Sequence, residues 1–280
     1  VNMKLNVFDS AGIRRYAASV VRRNRTKALL AVLLATGIDL AVQIVLASMG
    51  VTGSADQSPV VSLLANLVVL LVSAPLTYGL YELFLHMVHG QSGSVGDILK
   101  WYADGTKLKA SVWGQLWFTL LGFCWLMLYM FPAAMVGGFF FSYTGGFVLM
   151  YLIILVAMIF GVAEFIMYIP GAFMLAEDPE RSVTECFSAA RQAMKPYRWQ
   201  FFGFYMLYIL QVIAMIIPFI VVMVLVPMSA LLSSLLSLIA AAVACLVVMP
   251  RLHMGCICYY HAVFDLEVAH PDEPCEPFTM

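Results

Sequence analysis

Residues 22–49 read RRNRTKALLAVLLATGIDLAVQIVLASM, and the fold follows from how this stretch is read. Arg22, Arg23, Arg25 and Lys27 crowd its first six positions, and the 22 residues Ala28–Met49 that follow carry one charge, Asp39. A helix needs about 20 apolar residues to cross a hydrocarbon core of about 30 Å. The run also exceeds the about 7–15 apolar residues of a cleaved secretory signal, so it is expected to remain as a first membrane span. Five comparable runs follow, at Val60–Leu80, Val112–Met135, Phe147–Ile169, Trp199–Val226 and Met228–Val248.

These six spans sort the charges. All fifteen Lys and Arg residues fall in the segment before span one, in the second and fourth connections, or after span six. The first, third and fifth connections contain none. Cationic segments are retained on the cytoplasmic side, so a multi-pass protein of the cytoplasmic membrane with both termini inside is expected. Composition agrees: mean hydropathy is +0.93 and 11% of residues are charged, against roughly a quarter in soluble proteins. Residues 1–264 then form one membrane domain with no room for a separate soluble catalytic domain, and 265–280 read as an acidic, disordered cytoplasmic tail. Nucleic acid is not an expected partner, because anionic lipid headgroups compete for basic groups beside the bilayer. The six cysteines lie in spans or on the cytoplasmic side, so no disulfide framework is expected.

Each odd-numbered span is preceded by an amphipathic stretch, at about 10–25, 94–104 and 179–195. Ile13, Tyr16, Ala17, Val20 and Val21 form the first apolar stripe, with Arg14, Arg15, Arg22 and Arg25 turned away. In the second, Ser94 and Asp97 have capping-box spacing and Val95, Ile98, Leu99 and Tyr102 share a face. In the third, Asp178 reads as the N-cap with Pro179 at the first helical position, and Val183, Cys186, Phe187, Ala190 and Met194 line one side. Such stripes suit the headgroup zone, the expectation for the first and most basic helix; the alternative is packing on the extended inner ends of the spans or on a partner, and for the third helix protein packing is equally consistent. Trp101, Tyr197 and Trp199 suit the same interface. Lys27, Lys109 and Lys195 open the odd spans, and Pro132 and Pro218 follow the latter two lysines by the same interval, a pattern that suggests repeated hairpins. The expected fold is therefore all-α: six transmembrane helices as three hairpins, each introduced by a cytoplasmic interfacial helix.

Several stretches carry a resemblance. They are Arg22–Lys27, Pro75-Leu76 with Gly79, His89-Gly90, Ala176-Glu177-Asp178-Pro179-Glu180-Arg181-Ser182 through Met194-Lys195, then Trp199, Phe201, Pro250 and Tyr259-Tyr260. Together, over most of the chain, they resemble the bacterial membrane family described as domain of unknown function 975. Lys195-Pro196 departs from that pattern, in which a Gly follows the Lys. A looser similarity is to the membrane domains of glycerophosphodiester phosphodiesterases, without their catalytic part. The resemblance implies the six-span architecture and implies no activity.

Polar residues within the spans are the candidates for chemistry. Asp39 lies near the bilayer midplane, where a charge costs about 2.5–3.5 kcal/mol on insertion scales, and Gln43 shares its face. Depth counting brings Asn66 and Gln211 to a similar level. These four are either a substrate or proton site or interhelical hydrogen bonds holding the bundle. Glu82, His86, Glu164, Arg251 and His253 form a second set nearer the cytoplasm, with Arg251 a possible neutraliser of either acid; the alternative is that they are paired for folding or snorkel into headgroups. Arg14, Arg15, Arg22, Arg23, Arg25 and Lys27 are expected to touch lipid headgroups. His253, Cys256, Cys258 and His261 have metal-ligating side chains, but on one helix Cys258 points about 140° from the others, so no metal or cofactor is expected. No motif of a hydrolase, metalloprotease or nucleotide-binding enzyme is present.

The leading expectation is a non-enzymatic protein, transport-associated or membrane-protective, that handles an amphipathic peptide or lipid, with membrane lipids and a transporter subunit or amphipathic peptide as candidate partners. Two alternatives stand beside it: a small proton-coupled carrier built around Asp39, and an intramembrane lipid-modifying enzyme using Glu82, His86 or Glu164. Oligomeric state is open.

Overall fold

The computed structural model describes residues 2–49, 59–141, 146–225, 230–269 and 276–277. A short strand β1 (Asn2–Lys4) leads into α1 (Ser10–Arg23), capped where the Asp9 carboxylate accepts from Gly12 N–H at 2.7 Å. Helix α2 (Arg25–Ser48) and α3 (Pro59–Val88) form the first hairpin. Strand β2 (Gln91–Ser92), a 3-10 turn (Val95–Leu99) and α4 (Lys100–Ala103) connect it to α5 (Gly105–Phe141), which pairs with α6 (Gly146–Phe165). A 3-10 turn (Ile166–Tyr168) carries the chain into α7 (Ile169–Glu177) and then α8 (Val183–Met194). The last hairpin is α9 (Arg198–Leu225) with α10 (Ala230–Val263), followed by β3 (Glu267–Ala269) and β4 (Glu276–Pro277). Among the described residues six helices are long and apolar enough to cross a membrane, and the chain is an all-α polytopic membrane protein.

The spans run further than hydropathy alone predicts. Helix α3 continues to Val88, α5 begins at Gly105 and α10 continues to Val263. A hydropathy window registers the apolar middle of a rod, not the more polar turns that prolong it beyond the lipid. Those prolonged ends, all at the basic end of the bundle, meet α1, the 95–103 segment, α7 and α8 and build the hydrophobic core there. Tyr78, Phe84, Trp101, Phe173, Phe187 and Tyr259 are among its large, fully buried members. Toward the opposite end the helices present Leu40, Ile44, Leu63, Phe131, Leu152 and Ile217 outward. In a bilayer that arrangement costs little, because acyl tails are as apolar as leucine and drive no helix–helix burial.

This core corrects the expectation for the interfacial helices. Ile13, Tyr16, Ala17, Val20 and Val21 are buried against α10 rather than facing headgroups. An apolar stripe records only that something covers it, and here the covering surface is the prolonged α10. In the second stretch Ile98 and Trp101 are the fully buried residues, whereas Leu99 and Tyr102 are exposed, because the segment is a 3-10 turn plus one helical turn rather than a single α-helix. The Ser94–Asp97 capping box is present, with the Ser94 N–H donating to Asp97 at 2.7 Å. Burial opposes ionisation of Asp97, but that bond and Lys100 at 3.1 Å prevail and hold its carboxyl below the usual range. The stripe of α8 is buried on protein, residue for residue as read. Its start differs: Asp178 ends α7, a turn follows, and Ser182 is the N-cap. Trp199 remains about half exposed, in keeping with an interfacial ring.

The tail is corrected in part. Residues 267–269 pair antiparallel with β1, Asn2 facing Ala269, and Lys4 meets Asp265 at 2.6 Å. Tyr16 donates to the Ala269 carbonyl at 2.7 Å. Gly90, with φ of +74°, lies so close that an added Cβ would sit 3.0 Å from that of Ala269. Residues 270–275 and 278–280 of the expected tail, and residues 50–58, 142–145 and 226–229 of the expected outer connections, lie outside the described residues.

Gly79 shows how tightly the basic end is assembled. A Cβ there would meet the Ile98 carbonyl oxygen at 2.7 Å and its Cα at 2.8 Å. Backbone cannot swing aside as a side chain can, so Gly79→Ala is expected to lift the 95–103 segment and destabilise by about 1–3 kcal/mol. A detergent unfolding midpoint equal to that of the unaltered protein would refute this.

Candidate functional site

Depth along a helix is legible in sequence; the direction a side chain takes around the axis is not. The four midplane residues illustrate this. Gln43 Nε2 donates to Asp39 Oδ2 at 3.0 Å, so those two do meet on α2. Asn66 instead donates to the Ser62 carbonyl of its own helix at 2.8 Å, and Gln211 is exposed on α9. Among the described residues no hydrogen bond joins α2, α3 and α9 through these groups. Asp39 Oδ1 is buried and has no protein partner.

The second set separates into distinct environments. Glu82 accepts from Trp101 Nε1 and from Lys107 Nζ at 2.8 Å, and the same ammonium lies 5.4 Å from the Trp101 ring centroid. Glu164, buried on α6, pairs with Arg198 at the start of α9. Lys107 and Arg198 therefore neutralise the two acids, a role the sequence left to Arg251. His253 packs against the rings of Tyr81 and Phe84, at 5.6 and 6.2 Å. His86 is half-buried at the basic end of α3.

Arg251 has another place. It faces Arg22 at the end of α1 and Arg25 at the start of α2 across a cavity of about 260 Å³, whose apolar walls include Leu29, Leu246 and Val247. Helix α1 packs its apolar stripe on α10, and its Arg22 lines the cavity. Among the described residues none of these three guanidinium groups has an ion-pair partner. Of the basic residues expected to contact headgroups, Arg22 and Arg25 line this cavity, whereas Arg14, Arg15, Arg23 and Lys27 do not. A second hollow, about 390 Å³ and almost wholly apolar, opens between α5 and α6 around Phe118, Gly122, Phe123 and Phe165.

A third constellation was not expected. His89, just past α3, and His261 on α10 approach with Nε2 atoms 3.3 Å apart. Glu177, the last residue of α7, comes beside them and accepts from the Tyr260 hydroxyl at 2.7 Å. Burial lowers the pKa of His89 below the ordinary imidazole value, and His86 acts in the same sense. His261 was weighed in sequence only with its helix neighbours, because a partner 172 residues away leaves no local signal. Compared with protein-family models, with curated proteins and with solved structures, the chain matches none of them.

Proposed function

We propose that this protein is a non-enzymatic, lipid-handling membrane protein that holds the phosphate of an anionic phospholipid at the basic end of its bundle. The observation that carries this reading is the cavity in which Arg22, Arg25 and Arg251 converge beside apolar walls. Guanidinium groups fork onto phosphate oxygens, while Leu29, Leu246 and Val247 offer an acyl chain a path along α2 and α10. The orientation that belongs with this reading puts the basic end in the cytoplasm. A transport-associated or membrane-protective role then rests on capturing such a lipid, or an amphipathic peptide with the same pairing of charge and apolar surface.

The alternatives have less support. Asp39 bonds to Gln43 through one oxygen within its own helix, and neither draws a partner from α3 or α9 for a carrier. Glu82 and Glu164 are each occupied by a cation, which leaves no free acid for lipid chemistry at those positions. We also propose kinship with the family described as domain of unknown function 975. In support, His89-Gly90, Glu177 and Tyr260, distant in sequence, come from stretches that carry the resemblance and gather at one place.

Each basic group near an anionic surface is worth about 1 kcal/mol, so removing three costs roughly 3 kcal/mol, or about 100-fold in affinity. The test is native mass spectrometry after reconstitution in mixed phosphatidylglycerol and phosphatidylcholine. The unaltered protein is expected to retain phosphatidylglycerol, and the R22Q/R25Q/R251Q variant to lose it. Equal retention by both would discard the proposal.

A further inference from the structure

The His89–Glu177–His261 constellation unites three prolonged helix ends: the residue after α3, the end of α7 and the last turns of α10. Its hydrogen bonds are unusually informative. His261 Nδ1 lies 2.9 Å from the Ile257 carbonyl oxygen, which can only accept, so the Nδ1 position carries the proton. In the neutral ring Nε2 is then a bare lone pair aimed at His89. At 3.3 Å that lone pair meets either an Nε2–H of His89 or a positive centre held between the two nitrogens.

The spacing suits a metal ion. With metal–nitrogen bonds of about 2.0–2.1 Å at a tetrahedral angle, two imidazole nitrogens stand about 3.3–3.4 Å apart. The carboxylate completes the set, since the ligand atoms of all three residues lie within 4.8 Å of one another. Tyr260 holds one Glu177 oxygen, leaving the other to rotate inward. A histidine whose remaining N–H is tied to a backbone carbonyl is the usual outer-shell arrangement of a metal-bound imidazole.

We propose that His89, Glu177 and His261 bind a divalent first-row transition cation, of which Zn²⁺ is the representative. Two imidazoles and one carboxylate favour such ions over Mg²⁺, which prefers oxygen ligands and keeps its waters. His89 and Glu177 are exposed, so a fourth position opens to solvent and takes a water or a small anionic ligand. Bound there, the ion would pin the ends of α3, α7 and α10 together, through residues none of which lines the arginine cavity. The proposal stands or falls separately from lipid binding.

The experiment is calorimetric titration of the chelator-stripped full chain in detergent with zinc chloride, paired with thermal unfolding. One Zn²⁺ per chain, a raised unfolding temperature and no competition from Mg²⁺ are expected. His89→Ala and Glu177→Gln should each weaken binding at least about 100-fold, more than is lost when an outer-shell group is removed. Both positions are exposed, and Gln at 177 keeps an acceptor for Tyr260, so unfolding in the absence of zinc should be little changed. No uptake at micromolar zinc would show that a shared proton joins the histidines and would overturn the proposal. So would uptake of equal affinity in both variants, which would locate the ion elsewhere.

Discussion

A Trp101→Ala variant is expected to lose about 3–5 kcal/mol, a large share of the about 5–15 kcal/mol that stabilises a typical domain. Trp101 is fully buried although the segment bearing it is only a 3-10 turn and one helical turn, too short to persist unaided. Its ring lies 5.7 Å from that of Tyr78, and Lys107 stands over it. Its indole N–H donates to Glu82. Truncation therefore opens a cavity, frees the 95–103 segment from α3 and leaves Glu82 to Lys107 alone. Trp101→Phe separates the contributions, since it keeps most of the packing and deletes the donor; a cost of about 1–3 kcal/mol is expected for that variant. Unfolding in mixed detergent micelles, followed by circular dichroism, measures both. A Trp101→Ala midpoint close to that of the unaltered protein would mean that this layer does not hold the bundle together.

Arg198→Met is expected to be nearly as damaging, at roughly 3 kcal/mol. That lies at the lower end of the about 3–5 kcal/mol found when one member of a buried ion pair is removed, because Arg198 is itself about a third exposed. Glu164, by contrast, is buried on α6 and would be left as an uncompensated charge. The arginine also lies 5.0 Å from the Trp199 ring, which fixes its reach across to α6. The double variant Glu164→Leu/Arg198→Met should recover most of the loss, since exchanging a buried pair for apolar residues of similar size is often neutral. If the double variant is as unstable as the single one, the pair is not what couples α6 to α9, and the effect belongs to the Arg198 stem and its ring contact.

Different parts of this molecule were legible in sequence to different degrees, for physical reasons. The six spans could be read because lipid demands a minimum apolar length, a property of each segment by itself. The buried face of α8 could be read because a 3.6-residue period survives whatever covers it. What covers a face is set by partners far along the chain, so the burial of α1 on α10 was not legible. For the same reason Arg22 and Arg25 stood out as part of a basic run, but Arg251 gave no sign of joining them. Glu82 was noticed, whereas its attachment to Trp101 and Lys107 depended on how the 95–103 segment folds back. Asp178-Pro179 misled because an Asx-Pro pair marks a turn as readily as a helix start.

The seating of α1 orders events during synthesis. Tyr16 and its hydrogen-bond partner Ala269 are 253 residues apart, so at about 5–20 residues per second α1 waits about 13–50 s for its final dock. Throughout that interval its greasy side has no α10 to lie on, and the membrane surface beside the ribosome is the nearest shelter. An amphipathic stripe bordered by arginines suits such a berth. Its chemistry serves a nascent-chain stage that the finished molecule no longer displays.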